Sequence, residues 1–278
     1  MSGTIQSIPA IEDACRISHW LAHWHWSEGS GGNFSLRMDK LPEEAHALSG
    51  ETPRPLPITV PSMGGSSLLI SGRGTRARDI AADPKANLGL YWIIQGGEEI
   101  TCLWGNCEPT SELPSHLAIH ETLLEIRPSH KAVLHTHPPN LIALTHLQEF
   151  QDSFHLSDVL LRMQSEARIH LPEGIALLPY YLPGSLDLGL ASVEALRRHS
   201  LLLWHMHGAL TTGETLSNAL DQMEVADKAA EIFWLLASAG RKSDGISNED
   251  MKAALQHFDL WDRYLSSLPD DGSGESTT

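Results

Sequence analysis

The chain has 278 residues, 41% hydrophobic and 19% charged, which is enough length and apolar content for a packed core and argues against wholesale disorder. Lysine and arginine number 19 against 35 acids, a formal charge of −16, so nothing neutralises a run of phosphates and a general nucleic-acid binder is excluded. No apolar run approaches the roughly 20 residues that a membrane helix needs, so no membrane partner is expected.

In chain order, Ile11–Trp26 has helical apolar spacing (Ile11, Cys15, Ile17, Leu21) and stops before Gly29. Asn33–Arg37 and Ser67–Ile70 read as short strands. Between them, from Asp39 to about Ser66, lies a proline-rich stretch expected to be a long surface excursion. Asn87–Ile94 and Ile100–Trp104 form a predicted hairpin around Gln95-Gly96-Gly97-Glu98. A helix is expected over Ser111–Ile126, a buried strand over Ala132–His135, and a helix over Asn140–Leu147 after two prolines. Then come a strand (Ile175–Leu178), a helix (Gly184–His199), a strand (Leu201–Trp204), a long helix (Gly213–Ala239) and a closing helix (Ile246–His257). Interleaved strands and helices with hairpin-like pairs point to an α/β fold with a mixed or antiparallel sheet covered by helices. Residues 1–268 read as one domain. Residues 269–278 are small, polar and acidic and read as a disordered tail.

Three cysteines (Cys15, Cys102, Cys107) cannot all pair, and no basic-then-apolar leader is legible. Reduced thiols and a cytoplasmic location are the expectation.

Sixteen histidines stand out. Val133-Leu134-His135-Thr136-His137 ends an apolar strand with two histidines at i and i+2. On extended backbone these share one side and can grip one metal ion. The plainer reading is two polar residues at a strand end. Leu201–His207 repeats the pattern and closes on Gly208, which lets backbone approach closely. If the two strands are neighbours, their histidines supply three ligands, the number that an open catalytic zinc site uses. Glu112, in Thr110-Ser111-Glu112, offers a carboxylate at a helix start; it also reads simply as part of a cap. Thr110 and Ser111 supply hydroxyls and backbone N–H groups suited to a phosphate. The turns Gly29–Asn33 and Ser71–Thr75 are candidate anion nests that match no nucleotide-binding fingerprint. His19 and His23, in a run of alternating His and Trp, are expected on a helix surface, and so is His116.

Taken in order, six segments carry a resemblance: GGNFSLRMD (Gly31–Asp39), DPKANLGL (Asp83–Leu90), LWGNCEPTSELPSH (Leu103–His116), HTHPPNLIALT (His135–Thr145), PEGIALLPYYLPGS (Pro172–Ser185) and LWHMHG (Leu203–Gly208). Together they resemble the class II, zinc-dependent sugar-phosphate aldolases. The long excursion and the Pro172–Ser185 segment look like the family's rhamnulose-phosphate branch. The resemblance implies a three-layer α/β/α fold around a mostly antiparallel sheet, assembled as a homotetramer. It implies one Zn2+ per subunit on His135, His137 and His207, and a catalytic Glu112 that can also ligate the resting metal. Glu166 matches a second glutamate, which reaches a neighbouring subunit's site. Ser30, Asn33, Arg73, Gly74, Thr110 and Ser111 match the phosphate pocket. Ser30 stands where the family has asparagine, and Arg73 where it has serine. Arg73 either adds a charge-assisted phosphate contact or points to solvent. The implied reaction splits the C3–C4 bond of a 1-phosphorylated ketose into dihydroxyacetone phosphate and an aldehyde, with Glu112 handling the C3 proton.

Other readings stay open on the sequence. An aldolase for fuculose phosphate or a ribulose-phosphate 4-epimerase uses the same scaffold. A zinc hydrolase leaves the glycine turns and Thr110-Ser111 unexplained. A non-catalytic metal-binding protein would hold zinc and turn nothing over.

Overall fold

The computed structural model describes residues 5, 8–106 and 108–268. The elements in order are α1 (Pro9–His23), β1 (Asn33–Met38), β2 (Arg54–Pro55), β3 (Ser67–Ser71), α2 (Ala77–Ile80), α3 (Pro84–Asn87), β4 (Leu88–Ile93), β5 (Glu99–Gly105), α4 (Leu113–Ile126), β6 (Ala132–Thr136), α5 (Pro139–Thr145), α6 (Ser153–Leu160), α7 (Ser165–His170), β7 (Ile175–Leu178), α8 (Leu186–Leu196), β8 (Leu201–Trp204), β9 (Gly208–Gly213), α9 (Leu216–Ser238), α10 (Asn248–His257) and α11 (Trp261–Ser267).

Nine strands form one sheet in the order β2-β5-β4-β3-β1-β6-β9-β8-β7. Every pairing is antiparallel except β7 with β8. The sheet is buried on both sides, so its strands read as continuous apolar runs whose side chains alternate between two cores. Leu69, Leu134, Leu201 and Leu203 join a core with α1 and α9. Leu68 and Ile70 face a second cluster with Leu113 and Leu117 of α4, and Val133, Leu202 and Trp204 face a third with Ile119 of α4 and Leu188 of α8. The result is the expected three-layer α/β/α architecture. Among the described residues no helix is long and apolar enough to cross a membrane.

Most elements fall where the hydrophobic spacing puts them. The main departure is β9. The reading Gly213–Ala239 starts the long helix too close to His207 and leaves no strand after Gly208. In the structure Thr211 and Thr212 lie in β9, and Thr215 caps α9 by accepting a hydrogen bond from Asn218 N at 3.0 Å. β9 sits between β6 and β8, so the two histidine-bearing strands are not direct neighbours. The excursion from Asp39 to Ser66 contains β2, paired to β5 through Arg54 and Ile100. Helices α6, α7 and α11 were not legible, because each is eight residues or shorter and lacks a full apolar period.

Cysteine chemistry also differs. Cys15 is free, but Cys102 is disulfide-bonded, which corrects the expectation of reduced thiols throughout. Cys107 and the tail 269–278 lie outside the described residues.

Candidate metal centre

Three elements of backbone bring the histidines together. β6 delivers His135, which is 1% exposed. His137 follows just past the strand, with its N–H donating to Trp26 O at 2.7 Å. His207 comes from the β8–β9 turn, where Met206 takes a left-handed backbone (φ 56°) and donates its N–H to Thr145 Oγ1 at 3.0 Å. His135, His137 and His207 each offer a nitrogen within 4.8 Å of the others, the spacing for a shared metal ion.

Ring orientation is set from behind. His135 Nδ1 donates to Ala209 O at 3.0 Å, and His137 Nδ1 donates to Glu28 Oε1 at 2.9 Å. Both Nε2 atoms are thereby left as acceptors, and they face each other at 3.2 Å. A carboxylate or carbonyl behind a ligating imidazole is the usual way to fix its tautomer. Two lone pairs at that distance repel each other unless a cation lies between them, so the donor set fits a metal. His207 Nδ1 is buried and has no partner among the described residues, which also fits an unmet coordination role. Burial holds His135 far below the ordinary imidazole range, and burial lowers His207 too, so both are neutral near pH 7, the form in which an imidazole can hold a metal.

The floor is apolar and tight. Trp204 lies 4.3 Å from His135 and 5.1 Å from His207 between ring centroids, and its Nε1 donates to Ser192 Oγ at 3.0 Å. A Cβ on Gly208 would come within 2.7 Å of both the His135 and His137 rings, and one on Gly31 within 2.7 Å of His137. These glycines are therefore spacers that admit the imidazoles.

Glu112 is the N-cap residue of α4 and is 7% exposed. The helix starts at Leu113, two residues later than expected, because Thr110 Oγ1 accepts from Glu112 N at 3.3 Å and Thr110 O from Leu113 N at 3.1 Å. The Glu112 charge reaches His207, where it opposes the effect of burial. Glu112 Oε2 accepts from Asn33 Nδ2 at 3.0 Å. Strand register puts Asn33 opposite His135.

The remaining expected residues fall into two groups. Gly72 bridges to Pro109, and Arg73 N donates to Glu108 O at 2.8 Å, so the turn holding Arg73 and Gly74 adjoins Thr110 and Ser111. Arg73, Gly74 and Ser111 are exposed, and Thr110 is buried with its N–H donating to Ser71 O at 3.0 Å. Ser30 is exposed in the loop before β1. Glu166 is exposed on α7, which packs on α9 and α10 in the layer opposite α4.

The sequence reading missed Glu28 behind His137. It also placed His116 on a helix surface, whereas His116 is 1% exposed and His120 is 0% exposed. The available signal was Glu112, His116 and His120 at a four-residue spacing, which puts all three on one helix face. The histidines of the His-Trp run lie as expected, with His19 and His23 exposed on α1.

Comparison with known proteins agrees with this geometry. A family model described as "Class II Aldolase and Adducin N-terminal domain" matches residues 12–234. A rhamnulose-1-phosphate aldolase of Escherichia coli O6:H1 is 32% identical over 84% of this chain and 87% of its own length. One of Listeria innocua is 27% identical over 93% and 96%. A solved sugar-phosphate aldolase from Thermotoga maritima superposes with a TM-score of 0.75 at 34% identity, covering 85% of this chain and 98% of that one.

Proposed function

We infer that this chain, which belongs to the class II aldolase family, is a zinc-dependent lyase cleaving L-rhamnulose 1-phosphate reversibly to dihydroxyacetone phosphate and L-lactaldehyde. The observation that carries this reading is the convergence of His135, His137 and His207, each oriented from behind, beside the buried carboxylate of Glu112. The three histidines would hold one Zn2+ per subunit. When bound, that ion supplies a fixed positive charge for the oxygen that becomes negative as the C3–C4 bond breaks.

The chain's own groups do the rest. Glu112 gives and takes the proton at C3 of the three-carbon product, and Asn33 holds one of its oxygens. Trp204 and the glycine spacers keep water from the floor of the site. The adjoining segments Arg73-Gly74 and Thr110-Ser111, with Ser30 and Asn33, form the pocket for the 1-phosphate. The Arg73 guanidinium adds a charge there that local amides lack. Glu166, exposed on α7, acts at the aldehyde oxygen in the site of a neighbouring subunit of a homotetramer. The cytoplasm is the proposed compartment on the ground of the sugar-phosphate substrate alone, since the Cys102 disulfide gives it no support.

The test is a pair of variants assayed for release of dihydroxyacetone phosphate, with bound zinc measured on the same samples. Glu112→Gln is expected to keep its zinc and lose turnover by about 10²–10⁴-fold. His207→Ala is expected to lose the metal and the activity together. Wild-type cleavage rates in a metal-free His207→Ala sample would overturn the reading.

A further inference from the structure

Behind Glu112 runs a column of hydrogen bonds between β1 and α4. Asn33 Nδ2 donates to Glu112 Oε2, and Asn33 Oδ1 lies 2.5 Å from His116 Nε2. His116 Nδ1 lies 2.7 Å from Ser35 Oγ, and the same Oγ lies 2.7 Å from His120 Nε2. Ser35, His116 and His120 are at most 1% exposed, so water cannot substitute for any of these partners.

The column has one direction, and its two ends fix that direction independently. At the Glu112 end, an ionised carboxylate only accepts. Asn33 must therefore turn its N–H to Glu112 and its carbonyl to His116, so His116 Nε2 carries the proton. His116 Nδ1 is then bare and takes the Ser35 hydroxyl proton. At the far end, His120 Nδ1 is buried without a partner among the described residues. A proton there would be an orphaned donor, which is rare in buried sites, so the His120 proton sits on Nε2 and is donated to Ser35 Oγ. Burial lowers His116 to about 4 and His120 well below its ordinary value, so each ring is neutral and carries a single N–H.

We propose that Ser35, His116 and His120 are positioning residues for Glu112, their column admitting only the Asn33 amide orientation that donates to the carboxylate. If the column reversed, Asn33 would present its carbonyl to Glu112, acceptor against acceptor, and push the carboxylate off its place. This proposal rests on the reading of Glu112 as the group that handles the C3 proton. One Nδ2 hydrogen and the Oδ1 of Asn33 are accordingly occupied, and the second Nδ2 hydrogen remains for the phosphate.

The experiment joins histidine nitrogen NMR on the full-length, zinc-loaded protein to steady-state kinetics. In the wild type, His116 and His120 are expected as neutral Nε2–H tautomers at pH 7. Ser35→Ala removes the relay hydroxyl, leaves the Glu112 end alone to hold the direction, and should populate a minor Nδ1–H tautomer of His116 that the wild type lacks. It should lower kcat about tenfold or more, with KM within about twofold and zinc content unchanged. Ser35→Thr keeps the hydroxyl and is expected to hold kcat within about threefold of wild type, as is His120→Gln, which keeps an N–H. An Nδ1–H tautomer or an imidazolium at His116 in the wild type overturns the proposal. So does a folded Ser35→Ala with wild-type kcat, or a Ser35→Thr and His120→Gln pair no better than Ser35→Ala. Absence of aldol cleavage by the wild type would instead remove the proposed function, and the tautomer measurement would still decide whether the column has the stated direction.

Discussion

A single absent methyl group decides whether the histidines can meet. Gly208 faces the His135 ring, the His137 ring and Thr136 O, each within 2.7 Å of where a Cβ would stand. Two of those neighbours are carbons of the rings that must converge, and the third is backbone, so none can yield cheaply. Gly208→Ala is expected to weaken zinc binding by at least about tenfold, in the range seen when the groups that orient a metal's ligands are disturbed. Its overpacking should cost roughly 1–3 kcal/mol of stability. Zinc titration against a competing chelator checks this, and an unchanged affinity contradicts it. At this scale the sequence was partly legible. His135 and His137 could be read because i and i+2 at a strand end share a side whatever the rest of the fold does. Ser35, His116 and His120 could not be read as a set, since their contact depends on which face of α4 meets β1, a tertiary fact. Glu28 was hidden for the same reason, lying in an irregular loop 109 positions from its partner.

At the scale of elements, α5 follows directly on the His135–His137 segment and is anchored by α9. Asn140 Nδ2 donates to Asp227 Oδ2 at 2.9 Å, and Trp234 Nε1 donates to Asn140 O at 3.0 Å. Burial raises the Asp227 carboxyl from 3.8 to about 6, against the lowering effect of the Asn140 bond. A carboxyl raised on folding favours the folded state while it is protonated, and that advantage is lost as pH rises through about 6. Asp227→Asn keeps an acceptor for Asn140 and removes the titration. Its melting temperature relative to wild type is expected to rise between pH 5 and pH 8, by roughly 2–4 °C for each kcal/mol involved. A pH-independent difference in thermal melts contradicts this. Elements with a full apolar period, such as α4 and α9, were legible from spacing alone. β9 was not, because Gly208-Ala-Leu-Thr-Thr-Gly213 is short, holds no strong alternation, and is a strand only by lying between β6 and β8.

For the whole molecule, the sixteen histidines divide by burial more than by chemistry. Burial pushes His116 and His130 from 6.5 down to about 4. Between those values the unfolded chain binds protons that the folded chain refuses, so stability rises with pH across that window and is lost as pH falls through it. Asp227 acts in the opposite sense over part of the same range, one group against two. Chemical denaturation is therefore expected to give an unfolding free energy that climbs from pH 4 to 6.5, and a flat profile contradicts the burial assignments. The formal charge of −16 weighs against a polyanion partner but not against a small phosphate ester, which needs only local positive potential. The most direct test of the central claim is the rate of dihydroxyacetone phosphate release by the zinc-loaded wild type, compared across rhamnulose, fuculose and ribulose phosphates. The expected result is release with L-rhamnulose 1-phosphate well above the other two. Release from none of the three contradicts the assignment of this site to sugar-phosphate aldol cleavage.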